Sequence, residues 1–409
     1  MTLDDGIGLH LDTEVAPGSP MIVDRSPPWH RSVVGPYFAW KVPRPHHLLI
    51  DLAAGRTVRE QVGEEVVRSA EEHRMAGILK SAVDGGLPAD STALVLLNRA
   101  DALGWARNRM LLDASQEIAE IAAQLNIDIF FIKGIANEAR WYTRMGERPA
   151  WDIDIVLGPW HRHRLQELLM ALQPRHSLLA EPEALRSPRL QSIDFGFHDL
   201  PVDLHLDALK LEVATTRNPA SIFEDVHDIS VEGGRSLRVL GGEASLVLAA
   251  LHLNKDRFRY LLSYVDLLRI AMDPDVNRGR ALDLAETLGL ARSFKSTLAA
   301  ASADLGVPAL HGLGSENRLW SLAWPASIRL LGSESEVRFR YRQFLLPLLE
   351  GGRWGEVVGS WWHRMWPPMY EVRRNFPAER GPYLLRLVRG RVRHRLDRYR
   401  QRRIHRLEH

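Results

Sequence analysis

At 409 residues the chain is long enough for two or three domains, and its 45% apolar content can fill a sizeable core. A net charge of +2 sets up no global field toward nucleic acid or an anionic membrane, and the lack of cysteine excludes disulfides, thiolate-bound zinc and thiol catalysis while fitting a reducing cytoplasm. No apolar run approaches the roughly 20 residues of a membrane span, and the acidic start Met1-Thr2-Leu3-Asp4-Asp5 lacks the apolar segment of a signal peptide, so a cytoplasmic protein is expected.

In chain order, residues 1–40 are rich in Pro, Gly and His without sustained period and read as an extended or partly ordered arm. Residues 41–126 read as a helical region: Arg56–Ala82 and Asp101–Leu125 carry apolar residues at helical spacing, separated by Gly85-Gly86-Leu87-Pro88, with Asp90 or Ser91 placed to cap the second helical stretch. Residues 127–241 read as an α+β core. Ile127–Ile132 is a β-branched and aromatic strand, Ile135–Tyr142 a short helix, Trp151–Leu157 a second strand, and His161–Leu172 a helix. Asp194–Phe197 and Val202–Leu206 read as strands joined by a turn at His198–Pro201, and Ile229–Leu240 as a hairpin turning at Gly233-Gly234. Residues 242–310 read as a helical domain, and 311–406 as a Trp- and Arg-rich region. Leu407-Glu408-His409 resembles a purification-tag remnant and is set aside.

The chemistry concentrates between Ile127 and Leu206. Side chains i and i+2 share a strand face, so Asp152 and Asp154 are expected to point the same way and to repel each other unless a cation or an arginine lies between them. A second acidic strand, Val202-Asp203-Leu204-His205-Leu206, places Asp203 and His205 on one face. Three carboxylates on neighbouring strands suit two-metal phosphoryl chemistry, with ions about 3.5–4 Å apart. Lys133-Gly134 precedes a helix whose free N–H groups can take phosphate, and Lys133 adds a point charge on a chain whose basic residues are overwhelmingly arginine. Arg140, Arg144 and Arg148 compete for phosphate contact; Arg148 lies nearest the acids, with an ion pair to Asp152 or Glu147 as the alternative. His205 reads equally as a substrate contact or a satisfied histidine. A lone D-x-D is weak, and Asp273-Pro274-Asp275 supplies a decoy that proline assigns to a loop. His161 and His163 lie two apart on a predicted helix and read as surface residues.

The run Phe131-Ile132-Lys133-Gly134-Ile135-Ala136-Asn137-Glu138-Ala139-Arg140-Trp141-Tyr142, with Arg148, Asp152-Ile153-Asp154 and Val202-Asp203-Leu204-His205, resembles the bacterial uncharacterised nucleotidyltransferases of the polymerase-β-like superfamily. Softer similarity takes in His73-Arg74-Met75, His252, Lys255-Asp256-Arg257, Tyr264-Val265-Asp266 and Trp366-Pro367-Pro368-Met369, about residues 60–385 in all. The resemblance implies a small mixed sheet with flanking helices, and a Mg²⁺-dependent (alternatively Mn²⁺-dependent) transfer of a nucleotidyl or phosphate group from an NTP, ATP foremost, to an acceptor hydroxyl on a small molecule, peptide or protein. It implies that Asp152, Asp154 and Asp203 are catalytic and bind metal, with Asp203 helping to deprotonate the acceptor. Lys133, Gly134, Arg148 and His205 would contact nucleotide. The usual Gly-Ser of the superfamily is replaced here by Lys133-Gly134, as in the K-G variant of the nucleotidyltransferase-like toxins.

Two rival classes stand beside this one. A metal-dependent glycosyltransferase also uses D-x-D, but expects a nucleotide-binding α/β sheet in the preceding hundred residues, where this pattern is helical. A degenerate transferase fold would instead bind a partner, nucleic acid included, through the tail from Arg386 to Arg406, whose Leu384, Leu387, Val388, Val392, Leu396 and Tyr399 give one apolar side. Trp354, Trp361, Trp362 and Trp366 read as packing against that helix.

Overall fold

Apolar spacing of 3.6 residues dominates the first part of the chain, and helices form there. The computed structural model of the protein describes residues 45–172, 190, 192–209, 219–231, 234–256, 258–307 and 389. Helices α1 (His47–Ala53), α2 (Glu64–Glu72), α3 (Ala76–Asp84) and α4 (Ser91–Gln124) come first. The predicted helical stretch Arg56–Ala82 is two helices, interrupted where Arg74 takes φ +61°. Asp90 caps α4, its carboxylate accepting from the Ala93 N–H at 2.7 Å, and α4 then runs unbroken for 34 residues, starting well upstream of the predicted Asp101.

A six-stranded mixed sheet comes next, built from β1 (Ile129–Phe131), β2 (Ile153–Leu157), β3 (Ser192–Phe197), β4 (Leu200–His205), β5 (Val226–Val231) and β6 (Arg235–Leu240). Its order is β3-β4-β2-β1-β6-β5, with β2/β4 and β1/β6 parallel and the other neighbours antiparallel. Helix α5 (Gly134–Trp141) connects β1 toward β2, and α6 (Leu165–Leu172) succeeds β2 after a 3₁₀ segment, Pro159–Arg164. The α+β class read from the sequence is therefore the observed one. Strand edges differ. β2 begins at Ile153, so Trp151 and Asp152 precede it, and β4 begins at Leu200 rather than Val202. The β3–β4 turn is two residues, His198 and Asp199, both with positive φ, the geometry whose twist matches a hairpin. Pro201 is accommodated because β2 pairs with β4 only from Val202 onward.

Strand alternation sorts the sheet into two cores. Ile153, Ile155 and Leu157 join Ile193, Phe195, Val202 and Leu204 against α4 and α6 on one face. Phe130, Ile132 and Val156 face the other way, into a second core with α1–α3 and the helices α7 (Gly242–Lys255), α8 (Leu261–Met272), α9 (Arg278–Thr287) and α10 (Ala291–Leu305). Each fully buried aliphatic or aromatic side chain contributes roughly 1.5–3 kcal/mol, so both faces are firmly held, and Asp154 is carried to the second face. The decoy Asp273-Pro274-Asp275 is a loop after α8, where Asp273 accepts from the Trp141 indole N–H at 2.8 Å. Between residues 45 and 152 the described chain is helical apart from β1 and one isolated Val62–Ala89 bridge, which counts against the α/β sheet a glycosyltransferase expects. No helix among the described residues is long and apolar enough to cross a membrane. The N-terminal arm, the Trp cluster and the Arg-rich tail lie outside the described residues, residue 389 excepted.

Candidate metal and nucleotide site

Parallel pairing of β2 with β4 sets Asp154 opposite Asp203 in register, and Val156 opposite His205. The side chains of Asp154, Asp203 and His205 meet at the sheet's second face. Their ligand atoms lie within 4.8 Å of one another, a spacing that could hold a metal ion. The Lys133 ammonium donates to Asp154 Oδ1 at 2.9 Å, and His205 Nε2 stands 2.9 Å from that same oxygen and 3.3 Å from Asp203 Oδ2. The register of the β3–β4 hairpin, which the sequence pattern anticipates, also sets Asp194 opposite Asp203, a further acidic position that the sequence reading did not count with the acids.

The electrostatics come from burial and these contacts. Burial pushes the Asp154 carboxyl up, but the Lys133 charge and the His205 hydrogen bond outweigh it and hold Asp154 well below the usual carboxylate range. Burial likewise disfavours the Lys133 ammonium, yet the charge and hydrogen bond of Asp154, with Asp203 and Asp152 behind, keep it firmly protonated. Asp152 is pushed up to about 6, by burial first and by the Asp154 charge second. His205 is lowered, chiefly by burial, with the hydrogen bond to Asp154 opposing. Its neutral form can satisfy both carboxylates from a protonated Nε2, because Nδ1 is buried with no hydrogen-bond partner. A metal on Nε2 would drive that proton onto Nδ1, where no acceptor waits. His205 thus serves better as a clamp on the two carboxylates than as a ligand. The carboxylates themselves suit a hard divalent cation: they are oxygen donors, and a cation would relieve the Asp154 repulsion that adds to burial in lifting Asp152.

The unusual backbone at Lys133-Gly134 falls on the lysine. Lys133 has φ +51° and ψ −135° as the N-cap of α5, a conformation costing on the order of 1–3 kcal/mol for a non-glycine residue. Gly134 is ordinary helix, and a Cβ there would meet its nearest neighbour, the Asp152 carbonyl, at 3.4 Å. Glycine is therefore not needed for the turn; a Cβ there would rest in ordinary contact with the Asp152 carbonyl and, at 3.5 Å, the Ala150 Cβ.

A cavity of about 570 Å³ lies over the carboxylates. Lys133, Gly134, Asp152, Asp154 and Asp203 form one side of it, and residues of the α7–α8 segment form another. The expected phosphate contact of Arg148 has a competitor that sequence reading did not see. Arg148 borders the cavity, but its guanidinium is committed to Asp266 of α8 through bonds of 2.7, 2.8 and 3.1 Å, not to Asp152 or Glu147. Burial works against that charge, but Asp266 more than offsets it and holds Arg148 more firmly protonated than a free arginine. Glu147 instead takes Arg269 at 2.7 Å. Arg144 pairs with Asp101 and Arg140 donates to the Leu240 carbonyl, so neither reaches the cavity. His161 is tied to Asp128 at 3.0 Å rather than standing free on the surface.

A small mixed sheet that presents paired acids beside a strand–helix turn, over a cavity of nucleotide size, defines a nucleotidyltransferase core. Comparison with known proteins narrows the class to a family. The model of the family described as "Uncharacterised nucleotidyltransferase" matches residues 61–306, more than half of the chain, and the chain belongs to that family. No curated protein matches it.

Proposed function

We propose that this protein moves a nucleotidyl group from a nucleoside triphosphate, ATP foremost, to an acceptor hydroxyl and releases pyrophosphate, with Mg²⁺ (or Mn²⁺) held by Asp154, Asp203 and Asp152. The observation that carries this reading is the in-register pairing of Asp154 with Asp203 on the cavity side of the sheet, with Asp152 on the same wall. A bound divalent ion supplies charge neutralisation at the phosphate and makes the acceptor hydroxyl easier to deprotonate.

The protein's own side chains prepare that chemistry. Lys133 and His205 hold Asp154 ionised at every working pH. Asp203, half-buried on the cavity side, is positioned to receive the acceptor proton. The first turn of α5 offers backbone N–H groups next to the acids, where a phosphate gains hydrogen bonds without a compensating charge.

The test is mass spectrometry of candidate acceptors incubated with each NTP and Mg²⁺. The Asp154→Asn and Asp203→Asn proteins, checked for folding by circular dichroism, are expected to lose transfer by at least about two orders of magnitude, as loss of one transition-state electrostatic contact does. Full transfer by an Asp152→Ala/Asp154→Ala protein would sink the reading. An added mass of phosphate alone would replace nucleotidyl by phosphoryl transfer.

A further inference from the structure

Arginines stacked on aromatic rings form an array at the cavity wall that the acids do not explain. Arg74, at the α2–α3 break, lies with its guanidinium carbon 4.1 Å from the Tyr260 ring centre and 5.8 Å from that of Trp151. Arg259 lies 5.0 Å from the same Tyr260 ring centre, and Arg107 of α4 lies 4.0 Å from that of Trp151. Arg74, Trp151, Arg259 and Tyr260 all line the cavity that holds the carboxylates. Among the described residues no carboxylate pairs with Arg74, Arg107 or Arg259, whereas Arg144, Arg148 and Arg269 are each paired. Asp256, on the same wall, is 3.2 Å from His252 Nε2.

A guanidinium stacked on a ring uses its flat face and keeps its N–H edges. Those edges match phosphate oxygens, often two at a time. The guanidinium groups beside these rings thus present hydrogen-bond donors suited to an anion. Lys133, also in the cavity, is committed to Asp154. The cavity is thus polar in the electrical sense, acids on the sheet and stacked guanidinium groups on the helical side.

We propose that Arg74 and Arg259, braced by Tyr260 and Trp151, bind the β- and γ-phosphates of the nucleoside triphosphate. The assignment rests on the nucleotidyltransferase reading and adds a direction to it. The α-phosphate lies at Asp154 and Asp203, and the departing pyrophosphate lies against the α2–α3 break and the α7–α8 segment. The strained backbone of Arg74, φ +61°, turns its side chain out of the helix path and toward that wall.

Isothermal titration of the full chain, with Mg²⁺ present, distinguishes the parts. The probes are ATP, AMP and inorganic tripolyphosphate, against wild type, Arg74→Ala/Arg259→Ala and Arg74→Lys/Arg259→Lys. Losing charge-assisted hydrogen bonds to phosphate should weaken ATP and tripolyphosphate by roughly 10- to 100-fold in the alanine protein, leave AMP unchanged, and be partly rescued in the lysine protein. Unchanged ATP and tripolyphosphate affinity in a folded alanine protein overturns the assignment, as does an equal loss for AMP. Failure of wild type to bind tripolyphosphate overturns it as well. If tripolyphosphate binds through these arginines but no NTP is ever consumed, the anion site stands and the nucleotidyl-transfer reading falls.

Discussion

Lys133 concentrates the physical tension of the site in one residue. Its backbone is strained, its ammonium is largely buried, and it sits on the very oxygen of Asp154 that a cation would seek. A fixed positive charge a few ångströms from a metal position lowers affinity for the metal. Lys133→Gln should therefore bind Mn²⁺ more tightly, on the order of tenfold, since one decade corresponds to about 1.4 kcal/mol and a unit charge at this range is worth at least that in a half-buried site. Electron paramagnetic resonance of free Mn²⁺ during titration reads this directly, and weaker binding in the variant would show that Lys133 organises the carboxylates instead of competing for them. A second residue carries a pH signature. Glu138 is buried and pushed up to about 6 from 4.5 by burial, opposed by hydrogen bonds from Asn108 and the Gly146 N–H. Between those pH values the folded protein binds the proton and the unfolded chain does not, so stability falls as pH rises through the window, by about 2 kcal/mol in total. Glu138→Gln keeps the acceptor for Gly146 and loses the titration. Its stability relative to wild type is expected to improve by about 2 kcal/mol from acid to neutral pH, read from urea midpoints. A flat difference would show that the Glu138 carboxyl titrates in the folded protein as it does in the unfolded chain.

At the scale of elements, the segment between α5 and β2 is what aims Asp152, and it is held by distant parts of the chain. The Arg148–Asp266 pair, joined by the Tyr142 hydroxyl at 2.6 Å, ties it to α8, while Arg144 donates to the Gly77 carbonyl and to Asp101 on the other side. A Cβ on Gly77 would stand 2.2 Å from the Gly146 carbonyl oxygen, so α3 presses backbone to backbone on this segment. Asp266→Asn leaves the Arg148 charge buried without its counter-charge and should cost about 3–5 kcal/mol, whereas Arg148→Met/Asp266→Leu should cost much less. Thermal unfolding of both proteins tests this, and equal destabilisation would mean the pair acts by shape alone. These ties also mark where sequence reading stops. The strand–helix order and the strands that carry Asp154 and Asp203 were legible because alternation and β-branching act over a few residues, whereas the unusual backbone of the K-G turn falls on Lys133 and not on the glycine. Arg148 finding Asp266, 118 residues away, and Arg74 meeting Tyr260 are products of packing that no local pattern encodes. The same holds for the start of β2. Its sequence favours a strand from Trp151, but pairing with β4 begins only at Ile153, which leaves Asp152 on a bend beside the strand, not in it.

The whole molecule places its cavity where three regions meet: the α2–α3 break, the acidic face of the sheet and the α7–α8 segment. A ligand there touches groups far apart in sequence, which only the folded chain brings together. Ligand that binds only the folded state stabilises it by about 2.7 kcal/mol at roughly a hundred times its dissociation constant. A cooperative unit of this size should gain several degrees in melting temperature. The electrical polarity of the cavity makes that gain conditional. ATP alone brings several negative charges toward the acids, and Mg²⁺ alone meets Lys133 already in place; together they neutralise the floor and satisfy the guanidinium rim. The wild-type melting temperature should therefore rise with ATP and Mg²⁺ by clearly more than the sum of the two separate shifts. Asp154→Asn/Asp203→Asn should lose that synergy while keeping a shift with tripolyphosphate, because the arginines remain. Differential scanning calorimetry at fixed ligand excess measures all these shifts on the intact chain. Strictly additive shifts in the wild type would separate the metal from the nucleotide and leave the acids without their assigned partner.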